Sequence, residues 1–263
     1  MPSALPTMPT PSASSTAVFV AIVLALCASL LWGVGRAGRT LGESQAETRR
    51  WLGLSSLGLL AWLAATGAAS ASGVLEARRL PPPLMLFMLA SLGVATVSAF
   101  SALGTRLLRG VPIAALVGFQ AFRLPLELVL HSWSVQHVVP VQMTFTGHNF
   151  DIVSGISALA LGVGLSTTQR APRALIWLWN CLASALLLAV TLIAVLSSPL
   201  PGRLYTTDPP LLLAFHFPYG FIVPICVGGA LFGHLLVFRW LRLSAKSLAA
   251  AASTSSSLQA RPG

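Results

Sequence analysis

Four polar residues share one stretch of otherwise apolar sequence: Gln120, Arg123, Glu127 and His131. Steps of three or four residues keep side chains on one face of a helix, so all four form a single stripe. Arg123 and Glu127, four residues apart, are spaced to pair with each other. A charged residue at the centre of a membrane helix costs about 2.5–3.5 kcal/mol on insertion scales, so both must face protein or water. Such a stripe is either an ionic site inside a helix bundle or an ion pair that joins helices. Pro125 lies between the two charges and cannot donate to the carbonyl of Ala121.

Further candidates lie downstream. The segment from His137 through Gln142 and Thr144 to Gly147-His148-Asn149-Phe150-Asp151 contains no Lys or Arg. Asn149 suits an N-cap and Asp151 the first turn of the next helix. Alternatively, Asp151 and His148 close over Glu127 and His131. His216 enters the last apolar segment, with Tyr219 between Pro218 and Pro224, which interrupt its hydrogen bonding. A broken helix at membrane depth must face protein or a cavity. The expected pocket is therefore Gln120, Arg123, Glu127, His131, His148, Asp151, His216 and Tyr219.

His131 and His216 are the candidate ligands if a metal or haem is held there, since imidazole suits Zn, Cu and Fe. No HExxH or CxxC spacing supports that chemistry, and the cofactor is left open. His234 lies about 27 Å along the helix from His216 at the helical rise, too far to share a metal, and its neighbour Arg239 suggests a cytoplasmic interface. A retinal protein would need a Lys in its last helix, and the only Lys, Lys246, lies beyond it. Cys27, Cys181 and Cys226 each fall inside an apolar run and read as inert thiols.

The elements that position these residues follow from composition. Of 263 residues, 55% are hydrophobic and 8% charged, against roughly 25% charged in soluble domains. Such a chain cannot cover a water-facing surface, so the net charge of +10 does not indicate a nucleic-acid partner. The expected partner is the lipid bilayer, with a small solute or ion as ligand. Seven segments reach the roughly 20 apolar residues a bilayer core requires: Ala17–Gly35, Trp51–Val74, Pro83–Leu103, Val111–Trp133, Phe150–Thr167, Ala174–Ser197 and Leu211–Trp240. The fold expected is all-α, a polytopic transmembrane bundle of seven helices over residues 17–240. Residues 1–16, rich in Pro, Ser and Thr, read as a disordered extracytoplasmic N-terminus, and 241–263 as a disordered cytoplasmic tail.

Alternating the segments puts twelve of the sixteen Lys and Arg on one side, from Arg36 and Arg39 to Arg239, Arg242, Lys246 and Arg261. Arg78, Arg79 and Arg203 fall on the other side, and Arg123 lies within the fourth segment. The positive-inside rule then places the N-terminus outside and the C-terminus in the cytoplasm, which an odd helix count requires. Gly229 and Gly233 form a small-xxx-small pair suited to close packing.

The stretches Phe119-Gln120-Ala121-Phe122-Arg123-Leu124-Pro125-Leu126-Glu127, Val139 through Asp151, and His216-Phe217-Pro218 resemble a group of bacterial multi-pass integral membrane proteins of similar length. The likeness is specific in the middle third and the last helix. It implies a bacterial inner-membrane protein with the same helix layout and brings no activity. Two other classes of function stand beside a solute-, ion- or proton-binding pocket: a haem- or metal-binding redox subunit, and a structural membrane subunit.

Overall fold

The computed structural model describes residues 6–77, 80–168, 172–200, 203–206 and 209–259, with 246–259 as backbone only. Arg78, Arg79, Arg170, Arg261 and the Lys246 side chain, all part of the charge pattern above, lie outside the described residues.

Helix starts follow local capping chemistry. Ser12 opens α1 (Ala13–Thr40) by accepting from the N–H of Ser15. Ser44 accepts from the N–H of Glu47 at the start of α2 (Gln45–Ala71), with an acidic residue in the first turn where the helix dipole favours it. Pro83 begins α3 (Pro83–Phe100) at a position where no N–H is needed. Ser101 ends α3 and caps the short α4 (Ala102–Gly110). Next come α5 (Ile113–Gly118), a 3-10 turn over Phe119–Phe122, and α6 (Arg123–Val135), which together form one crossing. The chain continues through α7 (Asp151–Thr168), α8 (Arg173–Ser197) and a broken entry to α9 (Gly228–Gln259).

Seven of these helical stretches are long and apolar enough to cross a membrane. The described residues contain no strand. The outward faces carry large apolar side chains such as Leu57, Leu60, Val97 and Leu188, each about 60–70% exposed. In water such faces would be a liability; in a bilayer they are the solvated surface.

Several boundaries differ from the sequence reading. The first helix begins at Ala13, inside the segment expected to be disordered, and Met8 packs on the core. Residues 102–110 leave the third crossing, because Ser101 breaks α3 and starts a new helix. Leu211 to Pro218 do not form regular helix. The last crossing starts at Tyr219 as a 3-10 turn, passes through a π-turn over Val223–Val227, and continues in α9. Its backbone runs on to Gln259, past the point where a disordered tail was expected.

Two apolar cores stack along the bundle. One gathers Phe19, Leu130, Trp133 and Tyr219. The other gathers Val34, Leu107, Val117, Trp179 and Leu236 at the arginine-rich end. The polar stripe of α6 falls at their junction: Val117 belongs to one core and Leu126 to the other, with Gln120 and Arg123 between them.

Candidate functional site

Close helix contact sets the depth of the site. Gly155 of α7 lies against the backbone of Leu124, and Gly162 against Gly118. Any larger residue at Gly155 would collide with that backbone, so α7 crosses α5 and α6 at the smallest separation the chain allows. The two contacts run in opposite directions and place Asp151 alongside Glu127 and Leu128. That is roughly 10 Å short of the end of α6 at the helical rise.

The loop of residues 136–150 therefore descends into the bundle. Val138, Val139, Met143, Thr144 and Asn149 in it are buried. Non-helical backbone at this depth requires protein around it, and the turns Val141–Met143 and Thr144–Gly147 satisfy much of the loop internally. Of the two expectations for this segment, a start for the next helix and a cover over Glu127, the loop provides both through Asn149, and it plugs the bundle over the polar cluster.

Arg123 is 1% exposed. Its Nε donates to Asp151 Oδ2 at 2.5 Å and its Nη2 pairs with Oδ1, the two-pronged geometry that guanidinium and carboxylate favour. Nη1 donates to the carbonyl of Ala183 at 3.2 Å and meets His234 Nε2 at 3.1 Å. An arginine can only donate, so His234 Nε2 must be the acceptor. The imidazole proton then sits on Nδ1 and is donated to Asn180 Oδ1 at 2.8 Å. Asn180 is oriented for this because its Nδ2 donates to the His234 carbonyl at 3.2 Å.

The expected Arg123–Glu127 pair does not form. The Arg123 fork is turned to Asp151 on α7, and the ion pairs among the described residues do not include Glu127. Glu127 is instead held by the plug: Asn149 Nδ2 donates to Oε1 at 2.7 Å and to the Met143 carbonyl at 3.0 Å. Asn149 Oδ1 also accepts the Asp151 N–H at 3.0 Å, so one amide starts α7 and orients Glu127. Glu127 Oε2 is buried and has no hydrogen-bond partner. A cavity of about 80 Å³, otherwise mostly apolar, is bordered by Arg123, Glu127 and Asp151.

The remaining candidates divide. Gln120 lies at the edge of the cluster, its Nε2 donating to the Ala230 carbonyl at 2.8 Å and its Oε1 buried without a partner. His131, one turn beyond Glu127, is half-buried against Phe145 of the plug, with Nδ1 buried and unpartnered. His148 is exposed and its ring lies by Tyr205, so it does not close over Glu127. Tyr219 packs edge-on to Trp133 and its hydroxyl meets Thr16 Oγ1 at 3.1 Å; the polar contacts it makes are outside the cluster. His216 sits half-buried in the irregular entry to the last crossing. Among the described residues, no group of three or more His, Cys, Asp or Glu is placed to hold a metal ion.

His234 corrects a second expectation. It is not at an interface but 1% exposed at the centre of the cluster. The last crossing continues to Ala245, so His234 lies about 16 Å inside its end at the helical rise. Asn180, Asn149 and His234 all belong to the site and were not among the expected residues. The signal available for each was a hydrogen-bonding side chain within or bordering an apolar segment. No family model, curated protein or solved structure matches the chain.

Proposed function

We propose that this is a multi-pass protein of the bacterial inner membrane that binds and passes protons through Glu127. The observation that carries the reading is the contrast between the two carboxylates beside Arg123. Asp151 takes the guanidinium on both oxygens, while Glu127 keeps one buried oxygen without a partner. A buried carboxylate with no cation must gain a proton or bind one.

Each neighbour has a part in this reading. Arg123, held by Asp151, Ala183 and His234, supplies a fixed positive field and does not swing to Glu127. Asn149 orients Oε1 so that Oε2 is the atom that carries the proton. The adjacent cavity of about 80 Å³ exceeds the ~10–15 Å³ that one water requires, and at the end bordered by Arg123, Glu127 and Asp151 a water finds the polar partners it needs, so water there can bring a proton to Oε2. His131, one turn nearer the end bearing the plug, is the next group able to exchange it. By the arginine asymmetry that end faces outward, with the N-terminus outside and the C-terminus in the cytoplasm.

Proton flux into proteoliposomes containing a pH-sensitive dye, driven by an imposed potential, tests the proposal. Wild-type protein should move protons, and Glu127→Gln, which keeps the size of the side chain and an oxygen for Asn149, should reduce the flux to that of empty vesicles. Equal flux from the two proteins would sink the proposal. Infrared spectra add a direct reading: the carbonyl band of a protonated carboxyl should vanish in Glu127→Gln.

A second reading is favoured by the contacts that Arg123 makes to three other helices, at Asp151, Ala183 and His234: the cluster is a clamp joining α6, α7, α8 and α9. It predicts no wild-type flux and a loss of stability on cutting the Arg123–Asp151 pair.

A further inference from the structure

A second and larger cavity, of about 380 Å³, is bordered by α1, α3 and α9. Gly229 and Gly233 face it, whereas Ala230 borders the small cavity next to Glu127. Its walls are almost wholly apolar. Ser29, Ser91 and Ser98 border it, and the hydroxyls of Ser29 and Ser91 donate back to their own helices, to the carbonyls of Ala25 and Phe87. An apolar cavity of even ~150 Å³ stays dry and takes up hydrocarbon. At about 380 Å³ this one is in the size range of ligand sites, about 300–1,000 Å³.

Its position selects the hydrocarbon. The lining runs along α9 and its entry from Pro224 to Leu236, about 18 Å at the helical rise. One leaflet of a bilayer core is about 15 Å deep. On α1 the lining is Leu26 to Gly33, and on α3 it is Ser91 to Ser98, the halves of both helices nearer the arginine-rich end. Trp32 and Val94, 51% and 41% exposed, mark the mouth between α1 and α3 on the lateral surface.

Charge marks the same end. Arg36 and Arg239 stand three residues beyond the lining residues Gly33 and Leu236, and Arg109 lies between the lining residues Leu107 and Val111. Arg109 is exposed, Arg36 half-buried, and Arg239 is anchored there by Thr105 Oγ1 at 2.8 Å and by the Ala99 carbonyl. Arg106 beside them is already paired with Glu43. A single-leaflet apolar slot with a basic rim matches one molecule: an anionic phospholipid, its acyl chain in the slot and its headgroup against the arginines. We propose that this cavity is a binding site for an anionic phospholipid of the leaflet at the arginine-rich end.

Gly229 offers a clean test. A Cβ there meets nothing nearer than Phe119 Cζ at 3.8 Å, so a side chain can start at this position without a clash at its Cβ, and Gly229→Leu takes up volume of the slot. The full chain is purified in mild detergent, exposed to phosphatidylglycerol or phosphatidylcholine, and examined by native mass spectrometry. Wild-type protein should retain one phosphatidylglycerol, favoured over phosphatidylcholine by about fivefold for each arginine engaged. Gly229→Leu, shown folded by circular dichroism, should lose that retention at least about tenfold. On unmutated protein, phosphatidylglycerol with a photoreactive acyl chain should crosslink to peptides containing Trp32 or Val94. Absence of retained lipid, equal retention of the two lipids, retention by Gly229→Leu, or crosslinks elsewhere would overturn the proposal. So would a wild-type dimer that Gly229→Leu dissolves, which would make a second copy the occupant.

Discussion

Arg123 has the most to lose from a change in its surroundings. It is buried with Asp151 as its counter-charge, and removing one partner of such a pair costs about 3–5 kcal/mol because the other charge stays behind. Asp151→Asn should therefore lower the melting temperature of the purified protein markedly. Replacing both residues by apolar ones of similar size, Arg123→Met with Asp151→Leu, should recover much of the loss. Thermal melts of the two single variants and the double variant check this; a double variant no better than the sum of the singles would mean that the pair is not one unit. Asn149 gives a second residue-scale prediction. Its amide donates to Glu127 and accepts at the start of α7. Asn149→Ala should cost about 1–3 kcal/mol, as expected when a buried acceptor is left unsatisfied. Asn149→Asp keeps the α7 contact yet sets a second carboxylate against Glu127, and should be the worse of the two in the same melts.

At the scale of elements, α7 and the crossing formed by α5 and α6 are set by glycine. A Cβ on Gly162 would come within 2.9 Å of Gly118 Cα and 3.2 Å of the Ala114 carbonyl. About two helical turns from Gly155, this contact holds the same seam. Gly162→Leu should force the helices apart and destabilise by about 1–3 kcal/mol or more. It should also weaken the Arg123–Asp151 pair that the seam brings together. Gly164, two residues on, meets nothing within 4 Å, and Gly164→Ala should be neutral or stabilising by up to about 1 kcal/mol. Melting both variants separates helix contact from helix propensity; equal effects would deny the seam its role. The plug depends on the same seam. Because α7 starts at the depth of Glu127, the chain between α6 and α7 must descend to reach it, and residues 136–150 fill the space above the cluster.

At the scale of the whole molecule, the described residues form an inverted globule, with large apolar side chains outside and the cluster of Arg123, Glu127, Asp151 and His234 buried within. Its seven crossings put Arg36, Arg39, Arg49, Arg50, Arg106 and Arg109 at one end. The proposed orientation predicts that a cysteine at Arg39, in a background lacking Cys27, Cys181 and Cys226, is blocked by a membrane-impermeant thiol reagent only after the membrane is opened. A cysteine at Thr10 should react in intact cells. The opposite pattern would reverse the molecule and turn the plug toward the cytoplasm.

The number of the crossings was legible in the sequence, because a bilayer obliges each segment to satisfy its own backbone and so makes a membrane helix a local property; their ends, set by capping and by the broken entry before Tyr219, were not. The stripe of Gln120, Arg123, Glu127 and His131 was legible for the same reason: helical periodicity alone puts these residues on one face. Partners were not. Spacing offers Glu127 to Arg123, but the guanidinium fork is better matched by a carboxylate approaching end-on from another helix. Whether one does depends on how closely α7 can approach, which Gly155 and Gly162 decide. His234 and Asn180 joined the cluster through the packing of α8 and α9. Glu127, left without the arginine that its spacing suggested, emerges only in the folded chain as a carboxyl with a free buried oxygen.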